Sequence, residues 1–270
     1  MAINDISLTI GMRSNLVSLQ HTVDLLNRTQ ERLNTGKKIN SALDDPVNYF
    51  TAKDHLNRAS DLSTRKDGMS EAIQTVKAAN AGIEGITKLI EAAKGLTQSA
   101  RSADTTGRST LAAQFDALLD QIDELANDSG YKGINLLKSS TLTVDFNEDG
   151  SSSLTINGFD ATVSGLGISS SSNNWATNTD IDAAVSDLDE ALKTLRSKAS
   201  TLASNMSVVT IRQEFTTEMI NTLQTGADKL TLADMNEEGA NMLMLQTRQQ
   251  LGITALSLAS QAAQSILRLF

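Results

Sequence analysis

Two histidines, the doublets Asp44-Asp45 and Glu237-Glu238 and a few methionines are the side chains weighed first for chemistry. His21 and His55 stand 34 positions apart, each inside a stretch of helical periodicity. Two imidazoles cannot supply a three-His metal site, and both read as solvated helix positions. Asp44-Asp45 and Glu237-Glu238 could be paired carboxylates for acid–base work. The first pair, however, precedes Pro46, the sole proline. An aspartate N-cap with proline at the first helical position explains it better. The second lies near a helix start, where acids complement the macrodipole. Met235, Met242 and Met244 read as core or interface filler. The run Ser169–Ser172 reads as a solvated loop, with a glycan attachment surface as the sharper alternative.

The rest of the catalytic inventory is missing. The chain has no cysteine, hence no disulfide, thiolate nucleophile or Cys-ligated metal. It has no glycine-rich phosphate loop, G-x-S-x-G or H-E-x-x-H motif. No enzyme, cofactor or metal is expected. Net charge is −9 and aromatics are 3%, which argues against a nucleic-acid partner. No run of 18 apolar residues predicts a membrane span. The start, Met1-Ala2-Ile3-Asn4-Asp5-Ile6-Ser7, lacks the basic and apolar regions of a Sec-type signal peptide.

Helices must position whatever the chain does. A first helix is expected from about Ser7 to Leu33, with Leu16, Leu19, Val23, Leu26 and Leu33 as its seam and Gln30 filling the gap. Asn34-Thr35-Gly36 stops it. A long helix follows from Asp45-Pro46 to about Ser102. Leu62, Met69, Val76, Ile83 and Ile90 recur every seven residues there, with Arg65, Ala72, Ala79, Ile86 and Ala93 three further on. A shorter helix carries Leu111, Phe115, Leu118, Ile122 and Leu125. Ile181, Val185, Leu188, Leu192, Leu195, Ala199, Leu202, Met206 and Val209 then keep 4,3 spacing, in a helix of about fifty residues and roughly 75 Å. A last helix starts near Asp234 or Asn236. Leu251, Ala255, Leu258, Ala262 and Leu269 mark one of its faces, and Ile253, Leu256, Ala259, Ala263, Ile266 and Phe270 another.

Between the helices, 139–180 is rich in Ser, Thr, Asn and Gly. Leu142, Val144 and Phe146 alternate as a strand, Asn147-Glu148-Asp149-Gly150 is a turn, Leu154 and Ile156 alternate again, and Asn157-Gly158 signals a hairpin into a strand over Phe159–Val163. No Lys or Arg occurs from Ser139 to Leu192, whereas nine acidic residues do. This segment is expected to be a β element of low packing content, set apart from the seams and replaceable by a short Gly/Ser linker.

The expected fold is mainly α: a long antiparallel coiled-coil or helical-bundle rod formed by both termini, with a small β-rich outer tip. Its parts are an N-terminal coiled-coil segment and connecting spoke (1–43), rod helices (44–138), the tip (139–180), a returning rod helix (181–230) and a C-terminal helix (231–270). Asn40, Asp44, Asp45, Glu237 and Glu238 serve as spoke and capping residues. The terminal helices are apolar on more than one face, so one partner helix cannot cover them. Neighbouring copies would have to.

Arg32-Leu33-Asn34-Thr35-Gly36-Lys37-Lys38-Ile39-Asn40-Ser41-Ala42, then Asp44-Asp45, is similar to the pattern RLSSGLRINSAKDDAAG of the bacterial flagellin family. Asp234-Met235-Asn236-Glu237-Glu238 and Gln249 through Phe270 resemble its C-terminal region, and Tyr131-Lys132-Gly133-Ile134-Asn135-Leu136-Leu137 its turn into the outer region. Pro46 departs from the family's common alanine. The resemblance implies a filament subunit that is extracellular, joins other flagellin copies, and meets filament cap and hook-junction proteins. It implies export unfolded through the flagellar export apparatus, with an export chaperone on about 230–270. The inner-core interface would comprise Leu16, Leu19, Val23, Leu26, Leu33, Leu251, Ala255, Leu258, Ala262, Ile266, Leu269 and Phe270. The rod seam would comprise Leu62, Met69, Val76, Ile83, Ile90, Leu188, Leu192, Leu195, Leu202 and Met206. The family's contact pattern for Toll-like receptor 5 has Arg, Leu and Glu where Lys88, Ala92 and Gln114 stand here, so recognition is expected to be weak or absent. A hook–filament junction protein, a helical-bundle enzyme and a coiled-coil adhesin are the alternatives. The Asn40-Ser41-Ala42…Asp44-Asp45 segment argues against the first. The missing catalytic groups argue against the second, and the missing anchor or signal peptide against the third.

Overall fold

The computed structural model describes residues 10–267, with side chains through 265. Five helices dominate: α1 (Ile10–Thr35), α2 (Pro46–Ser102), α3 (Thr105–Asp128), α4 (Asn178–Thr231) and α5 (Met235–Leu267). Strands β1 (Thr141–Asp145) and β2 (Ser153–Asn157) and a 3-10 turn at Ser172–Trp175 lie between α3 and α4. The chain divides into two compact units, one from 1–57 with 223–270, the other from 58–222.

Helix starts follow the capping rules. Asp45 Oδ1 accepts the Asn48 N–H at 3.1 Å, one turn into the helix that Pro46 begins. Asp104 caps α3 through the Gly107 N–H at 2.8 Å. At α4, Thr177 and Asp180 bond reciprocally: the Thr177 N–H reaches Asp180 Oδ2 at 2.9 Å and the Asp180 N–H reaches Thr177 Oγ1 at 3.3 Å.

In the 58–222 unit, Leu62, Met69, Val76, Ile83 and Ile90 of α2 are all buried. So are Leu188, Leu192, Leu195 and Leu202 of α4, while Met206 is half-buried. The helices run antiparallel, since Lys94 bonds Asp189 at 2.5 Å and, further along α2, Arg101 pairs with the earlier Asp182. These ion pairs are solvent-exposed and add little; the seam carries the stability. Small residues let helices close in. A Cβ on Gly82 would lie 2.2 Å from Ser129 Oγ at the end of α3 and 2.6 Å from Leu137 Cδ1.

Two expectations for 139–180 are corrected. First, Asn157-Gly158 does not turn a hairpin. β1 and β2 pair antiparallel with Val144 opposite Leu154, and the turn expected at Asn147–Gly150 is the one that joins them. Gly158 instead lies where the chain passes close to itself, and a Cβ there would fall 2.4 Å from the Leu136 carbonyl oxygen. Phe159–Val163 forms no strand because its N–H groups go elsewhere. Phe159 donates to Leu136 O at 2.8 Å, Ala161 to Leu137 O at 2.9 Å, and Val163 to the Asp123 carboxylate at 2.7 Å.

Second, the segment is not set apart. Val144, Phe146, Ile156, Phe159, Ala161, Leu166, Ile168 and Trp175 are buried in one cluster with the side chains of α2, α3 and α4. The Trp175 ring is fully buried, its centroid 5.0 Å from that of Phe115. Acids fasten the loop. Asp116 accepts from the Ser171 N–H and Oγ–H, each at 2.7 Å, and Asp187 accepts from the Ser169 N–H at 3.2 Å. Part of the acidic excess thus binds backbone.

Candidate assembly surface

α1 and α5 pack antiparallel in the first unit. Lys37 and Leu232 form a bridge, the Lys38 N–H donates to Thr231 O at 2.8 Å, and the Ala233 N–H donates to Gly36 O at 2.9 Å. Next to this junction, Arg32 Nη1 lies 2.7 Å from Glu238 Oε1. Glu238 is buried, so its acid does more than complement a helix dipole. Charge at both helix ends does not reveal that these two residues meet across 206 positions, and the sequence reading missed the pair.

α1 turns Leu16, Leu19, Val23, Leu26 and Leu33 half inward. The expected role of Gln30 is corrected: it is exposed, and buried Thr29 fills the gap between Leu26 and Leu33. Thr22 is buried as well, its hydroxyl donating to Ser18 O at 2.8 Å. A threonine satisfied by its own helix enters a seam that an apolar-only search skips.

On α5 the covered positions are Glu238, Met242, Leu245, Gln249, Gly252, Leu256, Ala259 and Ala263, in unbroken 4,3 spacing. A Cβ on Gly252 would sit 3.1 Å from Leu19 Cδ1, which marks this seam as the one against α1. Leu251, Ala255, Leu258 and Ala262 lie on another face and are exposed. Leu251 is 65% and Leu258 61% exposed, and Leu243, Met244 and Ile253 are also in the open. The side of α5 turned to α1 therefore mixes Met242, Leu245 and Leu256 with small or polar residues, while Leu243, Met244, Leu251, Ile253 and Leu258 point outward. The side chain of Ile266, and Leu269 and Phe270 altogether, lie outside the described residues.

The connection between α1 and α2 is held by carboxylates. Asp44 Oδ2 accepts the Ser41 and Asn40 N–H groups, each at 3.0 Å, and the two bonds hold its carboxyl below the ordinary value of 3.8. The Asn48 N–H and side-chain amide do the same for Asp45. A depressed carboxylate pKa stabilises the fold above the unfolded-state value and ceases to do so as pH falls through the folded-state value. Order in 40–48 should accordingly persist down to about pH 4 and fade below it. Amide NMR of Asn40, Ser41 and Asn48 across an acid titration checks this. An Asp44→Asn, Asp45→Asn variant should show no such transition, and the same transition in that variant would exclude these two acids as its source.

Glu237 is exposed, its N–H 3.3 Å from the Asp234 carboxylate that caps α5. His21 is exposed and His55 half-buried on separate helices. Among the described residues no three His, Cys, Asp or Glu side chains gather in a metal-binding group. Lys88 and Ala92 lie on α2 and Gln114 on α3, all exposed.

A paired set of terminal helices with an uncovered apolar face describes a subunit built to be completed by others. Residues 3–141 match the bacterial flagellin N-terminal helical region, and 185–270 match the bacterial flagellin C-terminal helical region. The chain is 33% identical to flagellins FljM and FljK of Caulobacter vibrioides over 100% of both chains. It is 27% identical to a flagellin of Brucella melitensis biotype 1 over 94% of this chain and 95% of that one. The chain belongs to the bacterial flagellin family. It is a structural, non-enzymatic subunit of the flagellar filament, which implies polymerisation with other flagellin copies in an extracellular filament.

Proposed function

We propose that α1 and α5 form the innermost layer of the filament, and that neighbouring copies cover the outward face of α5 at Leu251, Ala255, Leu258 and Ala262. The observation that carries this reading is the division of α5: its seam to α1 holds Gly252, Ala259 and Ala263, while Leu251 and Leu258 face away. Burying such leucines is worth about 1.5–3 kcal/mol each, a gain the lone chain forgoes. The buried α2 and α4 residues form the surrounding layer. Residues 36–45, with Asn40, Asp44 and Asp45, connect the layers. The chain passes unfolded through the flagellar export apparatus, a chaperone holds about 230–270 before export, and cap and hook-junction proteins meet the same terminal helices.

Hydrogen exchange on monomer and filament tests the layer. Amides of 10–35 and 235–267 should exchange fast in the monomer and slowly in the filament. Equal strong protection in a verified monomer would remove the need for neighbours. For the receptor, Toll-like receptor 5 signalling by monomer should be weak, and Lys88→Arg, Ala92→Leu, Gln114→Glu together should raise it. Lysine lacks the guanidinium fork, alanine lacks leucine's contact area, and glutamine lacks a charge. Strong signalling by the unaltered monomer in a reporter assay would refute this.

A further inference from the structure

Two other apolar stripes are uncovered in the chain. On α4, Val208, Ile211 and Phe215 are spaced 3 and 4 apart and are 40–61% exposed. At the entry to α2, Leu43, Val47 and Phe50 are spaced 4 and 3 apart and are 57–96% exposed. Single exposed apolar side chains are ordinary on any protein surface. Val208, Ile211 and Phe215 lie in register along one helical face, and Leu43, Val47 and Phe50 cluster at a helix start; large apolar groups gathered in this way are a contact surface. The α4 stripe runs along about 10 Å of helix, whereas in the other Val47 and Phe50 lie on the first turns of α2 and Leu43 in the turn that precedes it.

Their charged borders match. The α4 stripe is flanked by Glu214 and Glu218, with Arg212 on its other side. The α2 stripe ends beside Lys53 and Asp54. None of these five forms an ion pair among the described residues. The Arg212 guanidinium rests over the Phe146 ring, 5.2 Å from its centre, and keeps its charge available. With the stripes together, Lys53 can meet Glu214 or Glu218, and Asp54 can meet Arg212.

Symmetry favours the pairing of unlike stripes. A patch that meets its own copy closes a two-fold dimer, whereas an open helical polymer needs two different surfaces meeting head to tail. We propose that, in the filament, the Leu43–Val47–Phe50 stripe of one copy docks on the Val208–Ile211–Phe215 stripe of another. The proposal rests on the filament role of the chain and names a contact separate from the outward face of α5.

The cysteine-free sequence makes the test direct. Two single variants, Phe50→Cys and Phe215→Cys, are copolymerised into filaments and treated with a short-spacer bismaleimide. Covalent dimers should form in the mixture and not in filaments of either variant alone. Filaments of the mixture that give no dimer, or single-variant filaments that give as much, would overturn the pairing. Should these phenylalanine positions not tolerate cysteine, Val47→Cys with Ile211→Cys asks the same question. A second measurement needs no cross-linker. Phe50→Glu and Phe215→Glu, each folded by circular dichroism, should raise the critical concentration for elongation about tenfold, and normal elongation by both would overturn the proposal. The cross-link is read in filaments that have already formed, so its failure leaves the α5 reading standing. Failure of the α5 reading shows instead as normal assembly with that face charged.

Discussion

Trp175→Ala should lower the stability of the 58–222 unit by roughly 3–5 kcal/mol, a drop in melting temperature of about 6–20 °C. The indole is the largest fully buried side chain in the chain and packs on Phe115 of α3. Its removal leaves a cavity between the loop and the helices. The backbone adds to the effect. Asn173, Asn174 and Trp175 are consecutive residues at positive φ, 48°, 49° and 54°. The left-handed conformation costs about 1–2 kcal/mol for a residue such as Trp175 and less for asparagine, which tolerates it. The burial of the ring and the bonds from Asp116 to Ser171 offset that cost. With alanine the cost remains and the anchor is gone, so the turn should come loose. Trp175→Phe should lose far less, because the indole N–H has no acceptor among the described residues and phenylalanine keeps most of the contact with Phe115. Thermal melts followed by circular dichroism measure both, and an alanine variant within about 1 kcal/mol of the parent would refute the account. By the same reasoning, a Gly/Ser linker in place of 139–180 would strip apolar cover from α2, α3 and α4 and impair assembly.

What the sequence revealed and what it hid differ by the kind of signal. Met69, Val76, Ile83 and Ile90 recur at one interval for several turns, so the period alone marks a buried face, and all four are buried. Asp45 before Pro46 marks a helix start because both residues act locally. Trp175 was invisible by either route. It sits among Ser, Asn and Thr with no period around it, and a long-range contact with Phe115 buries it. The loop from Phe159 to Ser171 is similar: its apolar residues are sparse, and Asp123, Asp187 and Asp116 hold it at Val163, Ser169 and Ser171, bonds to which no local pattern points. The terminal helices show a third case. Both apolar faces of α5 were legible, but which one meets α1 was not. A search weighted by side-chain size favours Leu251 and Leu258, whereas close helix approach selects Gly252, Ala259 and Ala263.

That division makes Leu258 the most informative residue to change in the assembly surface. Leu258→Asp should abolish polymerisation while the α1–α5 pair retains its helical signal, since the side chain is 61% exposed and a carboxylate there stays in water in the monomer. Only burial by a neighbour would force that charge to be desolvated, at a cost of several kcal/mol. Leu258→Pro should also abolish polymerisation by a different cause. It removes an interior helix bond and clashes with the preceding turn, costing about 3 kcal/mol or more, so helicity around 254–262 should fall in the monomer too. Ala259→Asp places the charge one position away, on the side turned to α1, and should disturb the α1–α5 pair before any neighbour arrives. Circular dichroism and sedimentation of the three variants separate the causes. Normal filaments from Leu258→Asp would show that the outward face of α5 is not the surface on which the polymer closes.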